Sequence, residues 1–279
     1  MFVIPIRTLT REFRLHTDCR QAARVLAYIE TRPKICGTAL EPVDLLVQRL
    51  GEFYRLALPG SGTVEGTAFH LLDTMHRVVF TSFIEEVPGA PLIHAASVRV
   101  GGVPVLLVGA KGSGKTTLAL HLMERGHVVE GDEHVAVRET DLVPRPRTLR
   151  VKASSSRFAP ALARRIRRAP SIADGNGSLI YAVSPAVGGK PWRIAAMRAP
   201  CVVFLEPNHG GRTVAKPVSV DRAFNRLLGR CLLPEAKASA AARLRRVARE
   251  AQAWEMSLGD LEGAERHLTA IAAAVKSVH

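Results

Sequence analysis

Eight consecutive residues, Gly109-Ala110-Lys111-Gly112-Ser113-Gly114-Lys115-Thr116, spell G-x-x-x-x-G-K-[ST], a spacing suited to wrapping an anion. Glycines let successive backbone N–H groups turn inward, and the positive end of a following helix dipole reinforces them. Lys115 would reach the β- and γ-phosphates of a nucleoside triphosphate. The Thr116 hydroxyl would complete the shell of a Mg²⁺ ion that otherwise takes waters, phosphate oxygens and one or two carboxylates. The candidate nucleotide site is therefore Gly109 to Thr116 together with Thr117, and the cofactors it implies are ATP and Mg²⁺.

Context supports the motif. Val103 to Val108 reads V-P-V-L-L-V, an apolar run suited to a buried strand, and Leu118, Ala119, Leu122 and Met123 recur at helical spacing before Gly126 stops the helix. Beyond Gly126 a short strand-like stretch ends in adjacent acids, Asp132 and Glu133, with Asp132 only 17 positions after Lys115. A strand that follows the loop helix so soon can finish beside the loop, where an acid touches both metal and nucleophile. The expected metal set is Thr116, Asp132 and Glu133; the competing reading makes both acids surface turn residues, since Gly-Asp is ordinary turn chemistry.

His94 lies in the apolar run Leu92 to Val98, 15 residues before Gly109. A hairpin turning at Gly101-Gly102 would bring the start of that strand next to the nucleotide end of the loop strand. On this evidence alone His94 reads more readily as a hydrogen-bonded core residue.

From Leu92 to Val137, about 45 residues, the chain resembles the HPr kinase/phosphorylase family and its HPr-kinase-related relatives, some of which accompany peptide-modifying systems of the lasso-peptide type. The resemblance rests on His94, on Gly109, Gly112, Gly114, Lys115 and Thr116, on the helix ending in Arg125-Gly126-His127, and on the acids Asp132 and Glu133. It implies an α/β core of HPr-kinase/PEP-carboxykinase-like type with a mixed sheet. It also implies a serine kinase that moves the γ-phosphoryl group of ATP to a hydroxyl of a peptide or small protein. Asp132 would be the general base, with Lys115 and His94 as the other catalytic residues. Two features depart from the family: Glu133 stands where a second Asp is usual, and no E-x-R-G-x-G stretch follows the acids. The resemblance therefore does not extend to phosphorolysis, to HPr itself as substrate, or to hexamers, and homo-oligomerisation stays open.

Two other functional classes compete. Cys201 to Glu206 reads as an apolar strand ending in an acid, so a generic NTPase could use Glu206 to activate water. A nucleotide-gated module could instead hold a peptide without phosphorylating it.

Composition sets the outer bounds. With 279 residues, 47% of them hydrophobic, the chain can bury a sizeable core. No apolar stretch is long enough to span a membrane, and Arg7, Arg11, Glu12 and Arg14 come too early for a secretory signal, which predicts a cytoplasmic protein. Cys19, Cys36, Cys201 and Cys231 are dispersed and are expected to be buried thiols. The net charge of +14 is concentrated in arginine clusters at 145–150, 164–168 and 243–249. Solvated helix faces are the expectation for each, with an acidic peptide substrate as the alternative; 5% aromatic content and the lack of a base-stacking signature disfavour nucleic acid.

The remaining segments predict an N-terminal α+β extension, residues 1–86, and a catalytic domain with C-terminal helices, residues 87–279. In the extension, Phe2 to Ile6 and Val78 to Ile84 read as strands, Arg20 to Ile29 and Thr67 to Met75 as helices, and Pro59-Gly60-Ser61-Gly62 as a turn. Ser154-Ser155-Ser156 and Ala173 to Ser178 read as exposed loops; Asp174 and Asn176 lack the further oxygens of a calcium loop. A helix near Pro234 to Ala253, a strand at Trp254 to Leu258 and a helix at Asp260 to Ala274 are expected to cap the sheet.

Overall fold

A computed structural model describes residues 1–58, 60, 62–198, 201–232 and 237–278. Among them the central sheet has nine strands. Its main path runs Leu142–Pro144, His134–Val137, Leu92–Val100, Val103–Val108, Cys201–Pro207, Gln252–Leu258 and Val214–Pro217; Val128–Gly131 and Cys231–Leu232 also pair with Leu92–Val100. The three central strands Val103–Val108, Cys201–Pro207 and Gln252–Leu258 are parallel, and their neighbours on either side are antiparallel. The protein is thus mixed α/β.

Side-chain alternation decides which helix covers which face. Val105 and Leu107 point into the core beneath the loop helix Lys115–Glu124 and the C-terminal helix Leu261–Val278, where Leu118, Leu122 and Leu268 are fully buried. Leu106 and Val108 point the other way, onto Leu227 of the helix Val220–Leu228 and Leu244 of the helix Lys237–Glu250. Both faces of these strands are therefore dry, which is why they read as unbroken apolar runs. Each buried leucine contributes roughly 1.5–3 kcal/mol.

The hairpin forms as expected. Leu92–Val100 pairs with Val103–Val108 across Gly101 and Gly102, whose φ angles of 56° and 88° suit the tight turn that the strand twist demands. Its register sets Ala95 opposite Val108, so His94 falls beside the mouth of the glycine loop. The acid strand Val128–Gly131 is pinned to the same hairpin. Glu130, only 3% exposed, accepts hydrogen bonds from Ser97 Oγ at 2.8 Å and Arg99 Nε at 2.7 Å, and its backbone carbonyl accepts one from Trp192 Nε1 at 2.8 Å.

The N-terminal segment builds a separate five-stranded sheet from Phe2–Arg7, Arg11–Thr17, Glu41–Leu50, Phe53–Leu58 and Gly62–Gly66, packed on helices Arg20–Leu26 and Ala68–Glu86. Residues Val78 to Ile84 belong to the second helix and not to a strand: Leu71, Leu72, Met75, Val79 and Phe83 form one buried helical stripe, and that spacing outweighs the β-branched residues. Ser154 to Ser156 likewise lie in a short 3₁₀ helix, Ala153–Phe158.

The C-terminal strand, expected as a cap, lies inside the sheet as the parallel partner of Cys201–Pro207. Of the predicted thiols, Cys36 is exposed, and all four cysteines are free. Parts of three expected features fall outside the described residues: Pro59 and Ser61 of the turn, Ala199 and Pro200 before the Cys201 strand, and Pro234 to Ala236 at the start of the expected helix.

Because Arg99 is the cationic partner of a buried carboxylate, Arg99→Ala is expected to cost about 3 kcal/mol in urea unfolding, with the acid strand the first element to lose amide protection.

Candidate functional site

The glycine loop closes between the loop strand and the loop helix. Gly112 and Gly114 have φ angles of 85° and 93°, and a Cβ on Gly114 would stand 2.6 Å from Leu258 Cδ2, so the C-terminal strand sets how tightly the loop can curl. Ser113 is buried, with its Oγ unpartnered; Ala110 and Thr117 are half-buried and Lys111 is exposed. Lys115 is 6% exposed and folds back over the loop, donating from Nζ to the carbonyls of Gly109 and Ala110, both at 2.9 Å. Burial lowers its pKa, opposed by Asp132.

The Thr116 hydroxyl donates to Asp132 Oδ2 at 2.6 Å. The acid strand thus ends against the first turn of the loop helix, as the short spacing predicted. Asp132 Oδ1 is shut off from solvent and has no partner. Burial is the main cause that raises the Asp132 pKa from 3.8 to about 6, outweighing the Thr116 hydrogen bond and the charges of Lys115 and Arg147. An unpartnered buried carboxylate oxygen next to a threonine hydroxyl is a donor set that suits Mg²⁺, with the remaining oxygens left to phosphate and water.

Glu133 lines the same cleft as Thr116 and Asp132. Its carboxylate is held by Arg147 and, at 3.5 Å, by Arg145, because the strand that follows carries these residues back across the turn. Among the described residues no three His, Cys, Asp or Glu side chains converge as a metal cluster.

His94 lines the clefts on both sides of the loop: one of about 600 Å³ with Ala110 and Arg230, the other of about 350 Å³ with Thr116, Asp132 and Arg147. Burial, helped by Lys115 and Arg230, lowers its pKa to about 4, so the imidazole is neutral at pH 7. His134, its cross-strand neighbour with ring centroids 6.2 Å apart, is also held near 4, first by burial and then by Arg145 and His94.

Sequence reasoning missed the arginines at 145–150. They are not a solvated face. Arg145 is 7% exposed and stacks 4.6 Å above Phe80; Arg150 stacks 3.9 Å from the Tyr28 ring centroid and donates to the Tyr28 carbonyl at 2.7 Å. Their density just after the acids was the available signal. What no pattern shows is that the N-terminal segment, through Tyr28, His76 and Phe80, forms the opposite wall. The 243–249 cluster does sit on a helix surface, in ion pairs such as Arg243 with Glu139 and Arg246 with Glu250.

Glu206 lies at the end of the strand beside the loop strand, but its carboxylate is paired with Arg226, which also binds Glu255 at 3.2 Å. The acid bonded to Thr116 is Asp132.

Fold and site together define an α/β protein whose glycine loop joins a buried central strand to a helix and faces an acid from the edge that pairs with Leu92–Val100. Comparison with characterised proteins narrows this class. The chain is 30% identical over 127 residues to the HPr kinase/phosphorylase of Levilactobacillus brevis, covering 45% of this chain and 38% of that one. It is 42% identical over 62 residues to the HPr kinase/phosphorylase of Bacillus pumilus, 22% and 20% of the two chains. It is 43% identical over 49 residues to HPr kinase/phosphorylase 1 of Oceanobacillus iheyensis, 18% and 16%. No family model matches the chain. On these matches part of the chain is similar to HPr kinase/phosphorylases, and the likeness spans less than two fifths of each relative's length. Among the described residues no helix is long and apolar enough to cross a membrane.

Because burial raises the Asp132 pKa, the folded chain keeps a proton between pH 3.8 and about 6 that the unfolded chain has released, and stability falls as pH rises through that window. Asn at this position has no charge to desolvate. Asp132→Asn is therefore expected to match the parent chain below about pH 4 and to be more stable by on the order of 1–3 kcal/mol above about pH 7. Ligand-free denaturation at the two pH values reads this, and an equal or lower stability of the variant at high pH would contradict the burial of this acid.

Proposed function

We propose that this protein is an ATP-dependent kinase that transfers the γ-phosphoryl group to a hydroxyl, a serine in the first instance, on a peptide or small protein. The observation that carries the proposal is the 2.6 Å hydrogen bond from Thr116 to Asp132 at the open side of the glycine loop. It puts the hydroxyl of the nucleotide loop and a carboxylate of basic character on one point.

Phosphoryl transfer passes through a loose transition state, so catalysis is chiefly positioning and charge neutralisation. The loop amides and Lys115 would stabilise charge on the phosphate oxygens, with Lys115 swinging from the carbonyls of Gly109 and Ala110 onto them. Thr116 and Asp132 would hold Mg²⁺, which when bound draws negative charge from the β- and γ-phosphate oxygens. Asp132 would orient the acceptor hydroxyl and take its proton as the acceptor oxygen bonds to the γ-phosphorus and the β–γ bridging bond breaks, releasing ADP. Neutral His94 would offer a ring N–H to a phosphate oxygen at the mouth of the loop. Its lowered pKa supports this role, because an imidazole competing with Lys115 for a proton would lose. Glu133 would serve to align Arg145 and Arg147 and would not ligate the metal.

In this reading residues 87–279 are the catalytic unit and residues 1–86 supply a wall of the acceptor side, through Tyr28, His76 and Phe80. A cytoplasmic setting, where ATP is abundant, fits it. The hydrolytic alternative through Glu206 is less well supported, since that carboxylate is neutralised by Arg226.

Incubation with γ-labelled ATP, Mg²⁺ and candidate peptides distinguishes the three classes: label on a hydroxyl supports the kinase, free phosphate alone the NTPase, and tight ATP binding with neither product the binding module. Asp132→Asn is expected to lower kcat by about 10²- to 10⁴-fold, the usual contribution of a general base, while the ATP dissociation constant moves by no more than about threefold. Glu206→Gln is expected to leave transfer intact. Free phosphate as the sole product of the parent chain, lost in that variant, would give the hydrolytic reading the site.

A further inference from the structure

The kinase reading accounts for the loop, Asp132 and His94 but gives no work to two guanidinium groups that line the same cleft, Arg147 and Arg150. We propose that Arg147 and Arg150, with the Thr148 hydroxyl, form an anion subsite that takes a carboxylate or phosphate group carried by the acceptor next to its reactive hydroxyl. The inference rests on the kinase reading for the word acceptor, and on the geometry for the subsite.

The cleft of about 350 Å³ is lined on one side by Thr116 and Asp132 and on the other by Arg147, Thr148 and Arg150. Arg145, Arg147 and Arg150 all have Nε atoms shut off from solvent without a partner, and so does the hydroxyl of Thr148, which is 7% exposed. Glu133 is the carboxylate paired with Arg145 and Arg147, while Arg150 reaches the Tyr28 carbonyl and lies 3.4 Å from His76 Nε2. His76 is no counter-charge: burial, followed by Arg150, Arg147 and Arg145, lowers its pKa to about 3. Asp132 also acts on Arg147 but faces Lys115 as well, so one buried and two half-buried guanidiniums together with Lys115 meet two carboxylates, and the cationic charge left over is costly unless a ligand supplies the missing anion.

The groups are also held ready. Stacking on Tyr28 and Phe80 fixes the planes of Arg150 and Arg145, and a fixed guanidinium fork suits the two oxygens of a carboxylate or phosphate. The nucleotide's own charge is already met at the loop by Lys115 and the helix start. A cleft this small places the anion and the hydroxyl within a residue or two of each other on an extended acceptor. The preference therefore concerns the immediate neighbours of the modified residue.

The test is a binding measurement that needs no turnover. The full chain, saturated with Mg²⁺ and a non-hydrolysable ATP analogue, is titrated with fluorescent, end-blocked hexapeptides holding one Ser flanked by Glu, by phosphotyrosine or by Gln. The Glu or the phosphotyrosine peptide is expected to bind at least about tenfold tighter than the Gln peptide, the worth of one charge-assisted pair, and the tighter of the two identifies the anion. Arg147→Gln and Arg150→Gln are expected to erase the difference; Arg249→Gln, on an exposed helix face, is expected to keep it. Should either glutamine variant fail to fold, Arg147→Lys, which retains charge but loses the fork, is expected to reduce the preference at least about threefold. Equal affinity for all three peptides overturns the subsite. A tenfold loss of affinity for the ATP analogue in the arginine variants also overturns it, and assigns the arginines to the nucleotide. Failure of the kinase reading would show separately, as intact anion preference with no transfer of label.

Discussion

The contact between Thr116 and Asp132 is the constraint on which the site depends. It joins the first turn of the loop helix to the end of the acid strand, and it exists because two short connections leave no other path. Helix Lys115–Glu124 stops at Gly126, the chain returns at once as Val128–Gly131, and that strand is locked to Leu92–Val100 by Glu130, Ser97 and Arg99. Asp132 is the next residue. A carboxylate pushed into so dry a corner resists ionisation, and that makes the corner attractive to a cation. The same desolvation that costs stability in the ligand-free chain makes Asp132 more basic than an exposed aspartate.

Charge is divided between two walls. On the loop side, Lys115 and the helix start face Asp132; Arg147 and Arg150 line the same cleft, and Arg145 and Arg147 share Glu133. Adjacent acids in one cleft thus take different partners, Asp132 the Thr116 hydroxyl and Glu133 the guanidiniums of Arg145 and Arg147. Asp132 and Glu133 both sit where the edge that pairs with Leu92–Val100 is interrupted; Asp132 turns its carboxylate to Thr116, while Glu133 meets the arginines that follow Leu142–Pro144. The N-terminal segment closes this second wall with aromatic rings on which the guanidiniums stack, so a segment with no motif of its own shapes half of the cleft.

Local pattern made the nucleotide half of the site legible. Glycines at fixed offsets, an apolar strand before them and a helical stripe after them each express a short-range requirement, and the Gly101-Gly102 hairpin is equally local. Where the reading erred, distant packing had decided. Val78 to Ile84 has strand-forming residues but extends a helix whose stripe runs from Leu71 to Phe83. The strand at Gln252–Leu258 looked peripheral by its position near the end of the chain, yet it occupies the sheet interior beside Cys201–Pro207. Chain order carries no information about strand order once crossovers span tens of residues.

The sequence by itself determined the phosphate loop, the strand and helix that hold it, and the early arrival of an acid behind it, because each depends on residues within a few turns of one another. Tertiary structure alone decided that Asp132 and not Glu133 meets Thr116, that Glu206 is paired with Arg226, and that Arg145 packs on Phe80 and Arg150 on Tyr28 and His76. Those outcomes depend on which side chains desolvate one another across separations of tens to more than a hundred residues, and desolvation is a property of the packed chain.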